Sequence, residues 1–205
     1  MCDKPSSPST RPPSHYKLVE LHPLAVRLLH WNQVFILLTL ISCGLYIHHP
    51  GLFPIPLGTV KNIKSIGNFL LIANTMVYIY YSIITGHYHD LIFAPKDIKF
   101  LRGFFKYILF LKESPGYYGK YTPGQKITYT LWLLLILNQI GTGLMMFFPE
   151  TFGYFIKLAG GLNKIRLIHY FPSWLFISTI PIHVYLAITE NPAKLQSIFT
   201  GYARR

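Results

Sequence analysis

Two histidines in the last apolar segment, His169 and His183, have the spacing that a pair of stacked metal-binding groups would need. They lie fourteen residues apart within Ile165–Ile188, a stretch long enough to cross a bilayer as a helix. At about 1.5 Å and 100° per residue, the two imidazoles would be about 21 Å apart along the helix axis and on nearly the same face. Ionisable groups at membrane depth are rare and are functional candidates by default. The spacing therefore predicts a helix that holds two stacked haems.

A third histidine, His30, is predicted at the same membrane surface as His183. It lies near the start of the first apolar segment, whereas His183 follows about 27 Å of helix from the opposite surface. The two imidazoles could therefore bind one haem iron from both sides. Two strong axial ligands leave no open position on the iron, which favours electron transfer over oxygen chemistry. The alternative for each histidine is a buried polar group that hydrogen-bonds to a neighbouring helix.

His169 is predicted near the outer surface and needs a partner of its own there. Lys64 could bind iron only as a neutral amine, which requires a strongly lowered pKa in this setting. His48 and His49 lie at about the right depth on the outer loop. The residues therefore leave open both the outer haem and its second ligand.

Further polar residues are predicted near the inner surface. Arg27, one turn before His30, could pair with a haem propionate or serve as a basic anchor at the membrane surface. A quinone site there would need polar groups for two carbonyl oxygens. The candidates are Asn32, Gln33, His87, His89, Gln125 and Lys126.

The elements that must position these residues are four apolar stretches of about spanning length. They run over Ala25–Ile47, Ile66–Gly86, Ile127–Phe148 and Ile165–Ile188. They predict an all-α integral membrane four-helix bundle. We expect a flexible cytoplasmic tail at residues 1–20, a transmembrane haem-binding domain at 21–190 and a cytoplasmic C-terminal tail at 191–205. Within the loop before the third helix, Ile98–Leu111 could be an amphipathic helix on the membrane surface.

Charge distribution predicts the orientation of the bundle. The 205-residue chain has a net charge of +12 and is 51% hydrophobic. If the N-terminus is inside, 14 of the 19 Lys and Arg residues lie on the inner side. This positive-inside pattern predicts that both termini are cytoplasmic, and it accounts for the basic surplus through topology and anionic lipids without nucleic acid.

The order of several motifs resembles a known family, the b-type cytochrome subunit of nickel–iron hydrogenases, to which the gamma subunit of formate dehydrogenase is similar. The motifs are Arg27-Leu28-Leu29-His30-Trp31, Ser42-Cys43-Gly44-Leu45-Tyr46-Ile47, Lys120-Tyr121-Thr122-Pro123-Gly124-Gln125-Lys126 and the pair His169 and His183. The resemblance covers about residues 22 to 190.

The resemblance implies a membrane cytochrome b subunit in the inner membrane, multi-pass, with one or two haems b. By position, His30 and His183 would ligate the inner haem and His169 the outer one. The family's remaining ligand falls early in helix two, where the resemblance places Lys64 or a close neighbour. Such a subunit passes electrons between the iron–sulfur and catalytic subunits of an oxidoreductase and menaquinone or a related quinone, so it would not be an enzyme alone.

Two alternatives to this function remain at the level of sequence. The chain could anchor a thiosulfate- or tetrathionate-type reductase that takes electrons from quinol, because a haem bundle conducts in both directions. It could also be a haem-free membrane scaffold whose histidines serve packing. The second alternative predicts no visible absorption.

Overall fold

Four long helices dominate the computed structural model, which describes residues 18–51, 53–109, 111, 120–189 and 192–204. The elements in chain order are β1 (Leu18–Glu20), α1 (Leu24–His48), α2 (Leu57–Ile84), α3 (Tyr88–Leu91), a 3-10 turn (Pro95–Asp97), α4 (Ile98–Ile108), α5 (Pro123–Phe147), α6 (Gly153–Leu158), α7 (Leu162–Thr189), α8 (Pro192–Thr200) and β2 (Tyr202–Arg204). Helices α1, α2, α5 and α7 are long and apolar enough to cross a membrane. The prediction of an all-α membrane bundle with four spanning helices is confirmed.

Local sequence signals fix where the spanning helices begin. Pro23 and Pro56 directly precede α1 and α2, where a missing N–H costs nothing because the first helical N–H groups have no partner in the helix. Before α5, the Thr122 hydroxyl accepts a hydrogen bond from the Gln125 N–H (3.3 Å), and the Gln125 side chain accepts one from the Thr122 N–H (3.0 Å). This reciprocal capping box satisfies two unpaired donors at once.

One buried apolar residue from each spanning helix forms a layer in the middle of the bundle. Helix α1 packs mainly on α2, and α5 packs mainly on α7. The layer, which we call the core layer, consists of Leu37, Leu71, Leu135 and Phe176. Phe176 is only 1% exposed, so this layer separates the polar residues on its two sides.

Both described ends of the chain lie at one end of the bundle. Strand β1 pairs with β2 in antiparallel register, with Leu18 opposite Arg204 and Glu20 opposite Tyr202. We call this the proximal end; it holds the start of α1 and α5 and the end of α2 and α7, and the opposite end is the distal end. In the predicted N-terminal tail, residues 18–20 form β1, and residues 1–17 lie outside the described residues. In the predicted C-terminal tail, residues 192–204 contain α8 and β2.

The amphipathic segment at Ile98–Leu111 forms α4 and is attached to α5 by an ion pair. The Lys126 Nζ lies 3.1 Å from the Asp97 Oδ1, and both side chains are largely buried. Burial acts to raise the pKa of Asp97, but the hydrogen bond from the Ala94 N–H and the Lys126 ammonium outweigh it and hold that pKa below its ordinary value. The contact fixes α4 across the start of α5.

Candidate functional site

His30 and His183 lie on the proximal side of the core layer at one depth. His30 precedes Leu37 by seven residues and His183 follows Phe176 by seven residues. Seven residues are about 10 Å along a helix and nearly two whole turns, so each histidine shares the face of its core-layer residue. His183 is also an electrostatic neighbour of His30. The structure therefore brings together the two histidines that the sequence pairs.

Indole rings flank these two imidazoles. The Trp31 ring lies 5.5 Å from that of His30, and the Trp132 ring lies 5.1 Å from that of His183. Among the described residues, the side-chain hydrogen bonds of imidazoles are those of His22 and His169. The ring nitrogens of His30 and His183 are thus free to bind a metal, and a pair of imidazoles is a suitable donor set for haem iron.

His169 lies on the distal side of the core layer, seven residues before Phe176. The Thr142 hydroxyl donates to the Asn138 carbonyl oxygen (2.6 Å) and lies 2.8 Å from the His169 Nδ1. Because its single proton is used on Asn138, the Thr142 oxygen accepts a hydrogen bond from the His169 Nδ1–H. The network assigns His169 to the tautomer whose Nε2 keeps a lone pair for a metal, which is how metal-binding histidines are usually oriented.

Lys64 lies at the depth of His169. It precedes Leu71 by seven residues, on the face of α2 that includes the buried Val60 and Gly67. Lys64 is partly buried and is an electrostatic neighbour of His169.

The two outer-loop histidines lie further out than Lys64. His48 is the last residue of α1, and its ring packs 4.7 Å from that of Tyr170. His49 follows the end of α1, and both histidines are exposed. Eleven residues separate His48 from Leu37, which is about 16 Å of helix against the 10 Å between Lys64 and its core-layer residue.

Arg27 ties the start of α1 to the C-terminal segment. Its guanidinium donates a hydrogen bond to the carbonyl oxygen of Phe199 in the last turn of α8. Carbonyl groups at a helix end lack partners within the helix and carry the negative end of its dipole, so a cation is favourable there. The Arg27 Nε is buried and has no partner among the described residues. This guanidinium N–H can therefore donate a hydrogen bond to a further acceptor.

A buried histidine that the sequence reasoning did not select joins three segments at the proximal end. The His22 Nδ1 lies 2.8 Å from the Ser197 hydroxyl, which donates to the Lys194 carbonyl oxygen (2.7 Å), and the Tyr121 hydroxyl lies 3.3 Å from the His22 Nε2. Burial, assisted by the positive charge of Lys120, lowers the pKa of His22 to about 4. His22 is therefore neutral at pH 7. The only signal in the sequence is a histidine directly before the Pro23 that precedes the first span.

A cavity of about 250 Å³ lies at the proximal end, next to the segment that carries His22. The His87 Nε2 is buried and has no hydrogen-bond partner among the described residues. Burial, with the nearby charge of Lys120, lowers the pKa of His87, and burial also lowers the pKa of Lys120. The cavity is lined by Glu20, Leu21, Pro23, Val26, Tyr81, Thr85, His87 and Lys120.

Of the polar residues predicted near this surface, only His87 lines that cavity. Gln33 accepts a hydrogen bond from Asn74 (2.7 Å), and Gln125 is held by the capping box and by Lys194 (3.3 Å). Lys126 pairs with Asp97, as described above. Asn32 and His89 are exposed on the helix surface.

Comparison with known proteins agrees with this arrangement. A family described as prokaryotic cytochrome b561 matches residues 21–201. A curated protein of Rhizobium leguminosarum bv. viciae, the probable Ni/Fe-hydrogenase B-type cytochrome subunit, is 24% identical over 210 residues, which cover 89% of this chain and 86% of that protein. Both matches extend across the four spanning helices.

Proposed function

The chain belongs to the prokaryotic cytochrome b561 family, and from this premise we propose that it is the membrane subunit that carries electrons between an iron–sulfur partner of a hydrogenase-type oxidoreductase and the quinone pool. As a family member it is a multi-pass integral protein of the bacterial membrane and a haem b protein of electron transfer. The observation that carries the finer proposal is the presence of imidazoles at two depths of α7, on opposite sides of the core layer.

His30 and His183 would hold one haem b at the proximal level, and His169 would hold a second at the distal level. Free ring nitrogens at the proximal pair and the free Nε2 of His169 support these assignments. Such a group supplies one-electron transfer between its two iron oxidation states. The hydrogen bond between Thr142 and His169 orients one imidazole, and the apolar core layer excludes water between the two levels.

The proximal end faces the cytoplasm. The basic residues of α4 (Lys99, Arg102 and Lys106) and Lys194 of α8 lie on this side of the bundle, which supports this orientation through the positive-inside rule. The distal end then faces outward, and the iron–sulfur subunit docks there, next to the distal haem. The relative in Rhizobium leguminosarum is a probable Ni/Fe-hydrogenase cytochrome subunit, which supports a hydrogenase-type partner.

The quinone head group binds in the proximal cavity. Its volume of about 250 Å³ is just below the range of about 300–1,000 Å³ that suits drug-sized ligands, so it fits a single ring system. The His87 Nε2 is buried and has no hydrogen-bond partner among the described residues. When His87 is neutral, this nitrogen can carry the ring proton and donate a hydrogen bond to one carbonyl oxygen of the quinone. Lys120 can donate to the other.

Electrons and protons balance at this cavity as in any quinone reduction. Reduction of a quinone to its quinol takes two electrons, which bound haem would supply, and two protons. His87 and Lys120 hold the protons at the carbonyl oxygens, and Glu20, at the cavity wall, can relay protons from cytoplasmic water. The reverse reaction, with quinol as the donor, uses the same residues.

The test of the haem assignment is a reduced-minus-oxidised visible spectrum of the purified full-length protein, with haem and protein quantified on the same sample. We expect b-type haem, and we expect His183→Ala to lose the proximal haem while the exposed His89→Ala retains it. A protein without haem, or a His183→Ala variant with full haem content and full quinone reduction, would overturn the proposal.

The quinone site is tested separately with a short-chain naphthoquinol that reduces the haems of the purified protein. His87→Leu should raise the quinol concentration for half-maximal haem reduction about tenfold, because it removes one hydrogen bond to the head group. His89→Leu is the matched control, since it removes a neighbouring histidine that does not line the cavity. Equal effects of the two substitutions would exclude the cavity as the quinone site.

A further inference from the structure

The core layer gives each spanning helix a common reference depth. A residue seven positions away from this layer lies about 10 Å above or below it on the same face of its helix. On the distal side, these positions are Thr142 on α5, His169 on α7 and Lys64 on α2. His169 and Thr142 are already joined by a hydrogen bond (2.8 Å). Lys64 is the third member of the same level.

Within the described part of the chain, the Lys64 amine has no hydrogen-bond or ion-pair partner. A charged amine inside a bilayer is costly and normally faces a counter-charge or another strong interaction. Among the described residues, the one ion pair is that between Lys126 and Asp97, and it lies at the proximal end. The electrostatic neighbours of Lys64 are His169 and the buried Cys43, and neither is an acid at neutral pH. A neutral amine that bonds to a metal would resolve this conflict.

The alternatives to Lys64 fit this level less well. His48 lies at the end of α1, about 6 Å further from the core layer by helix rise, and its exposed ring is packed against Tyr170. His49 lies beyond the helix altogether. Lys64 instead occupies the inward-facing side of α2, one turn from the buried Val60.

We propose that Lys64 and His169 are the two axial ligands of the distal haem. The inference rests on the proposed function, because it requires that the protein binds haem at two levels. On binding, the Lys64 ammonium releases one proton to solvent, and the freed nitrogen lone pair forms the bond to iron. No electron is transferred in this step. The bundle thus holds one haem between two imidazoles and one between an imidazole and an amine.

The experiment uses the purified full-length protein and reads out ligation rather than activity. Haem per chain is measured by pyridine haemochrome, and the ferric protein is examined by low-temperature electron paramagnetic resonance and near-infrared magnetic circular dichroism. We expect two haems per chain and two different low-spin signals. Lys64→Leu should abolish one low-spin signal, through loss of a haem or conversion to a high-spin form.

Two further variants control the interpretation. Lys61→Leu removes an exposed lysine on the same helix and should leave both signals unchanged. Lys64→His should restore two low-spin haems, now with two similar imidazole-ligated spectra, which shows that the loss in Lys64→Leu is not a failure to fold.

The outcomes separate this inference from the proposed function. Two unchanged low-spin signals in Lys64→Leu would overturn the lysine ligand. A single haem in the unsubstituted protein that is lost in His30→Ala but kept in His169→Ala would also overturn it, while leaving the cytochrome function intact. Absence of haem would overturn both.

Discussion

Acidification from pH 7 to pH 5 should loosen the attachment of the C-terminal segment, because His22 is buried as a neutral ring between Ser197 and Tyr121. Burial lowers the pKa of His22 from 6.5 to about 4. When β2 and α8 detach, His22 is exposed to water and regains its ordinary pKa. At a pH between these two pKa values, His22 binds a proton in the detached state but not in the attached state. Attachment is therefore strongest above pH 6.5 and weakens as the pH falls towards 4.

The magnitude follows from the two pKa values. Going from pH 7 to pH 5 should cost the attached state about 2 kcal/mol, or about a 20-fold change in the equilibrium between attached and detached forms. Because His22 is only 7% exposed, solvent screening reduces this figure little.

Hydrogen–deuterium exchange of the β2 amides, corrected for the intrinsic exchange rate at each pH, measures this equilibrium. Protection of Tyr202–Arg204 should fall about 20-fold between pH 7 and pH 5 in the unsubstituted protein. His22→Gln cannot titrate but can still donate and accept a hydrogen bond, so its protection should change much less over the same range. His87 is present in both proteins, so the effect of its protonation on amide protection cancels in the comparison. An equal loss of protection in the two proteins would refute the reasoning.

Three further substitutions test other contacts of the bundle. Lys126→Met leaves Asp97 as an unpaired buried carboxylate and should lower the free energy of unfolding by about 3 kcal/mol. The double variant that also carries Asp97→Asn should lose clearly less stability. Strictly additive losses of the two substitutions, measured by thermal or denaturant unfolding, would contradict this. Gly124→Ala places a methyl group against the Phe104 ring and should release α4, seen as faster proteolysis of α4 than in the unsubstituted protein; unchanged cleavage would show that the ring moves aside freely. Thr142→Val removes the acceptor of the His169 Nδ1–H. In a haem titration, this variant should bind the distal haem about 10- to 100-fold more weakly while the proximal haem stays bound. Equal loss of both haems would point to a general packing defect.

Hydropathy located the four spanning helices but not the start of the second one. Helix α2 begins at Leu57, nine residues before the predicted Ile66. Lys61, Asn62 and Lys64 reduce the apolar character of this stretch, so a search for continuous apolar sequence excludes it. The helix forms there nevertheless, because Val60 and Gly67 face α1 and the backbone is satisfied within the helix.

Helical spacing was sufficient to predict that His30 and His183 lie at one depth, because a rise of about 1.5 Å per residue fixes relative depth within a spanning helix. It could not find the joint at His22, which depends on Ser197 at the far end of the chain. Nor could it single out His87 among the six polar residues predicted at one surface, because only the fold shows which of them lines the proximal cavity.

The pairing of β1 with β2 has a consequence for biosynthesis. The residues that close the proximal end, from Lys194 to Arg204, follow all four spanning helices in the chain and are therefore made after them. During synthesis the spanning helices can therefore enter the membrane and meet one another while this end of the bundle is still open, since Arg27 and His22 have no C-terminal partner yet. The proximal histidines stay accessible until the segment from Lys194 to Arg204 leaves the ribosome. We expect that haem enters this level during that interval, and that removal of residues 192–205 yields a bundle that exchanges its proximal haem more readily.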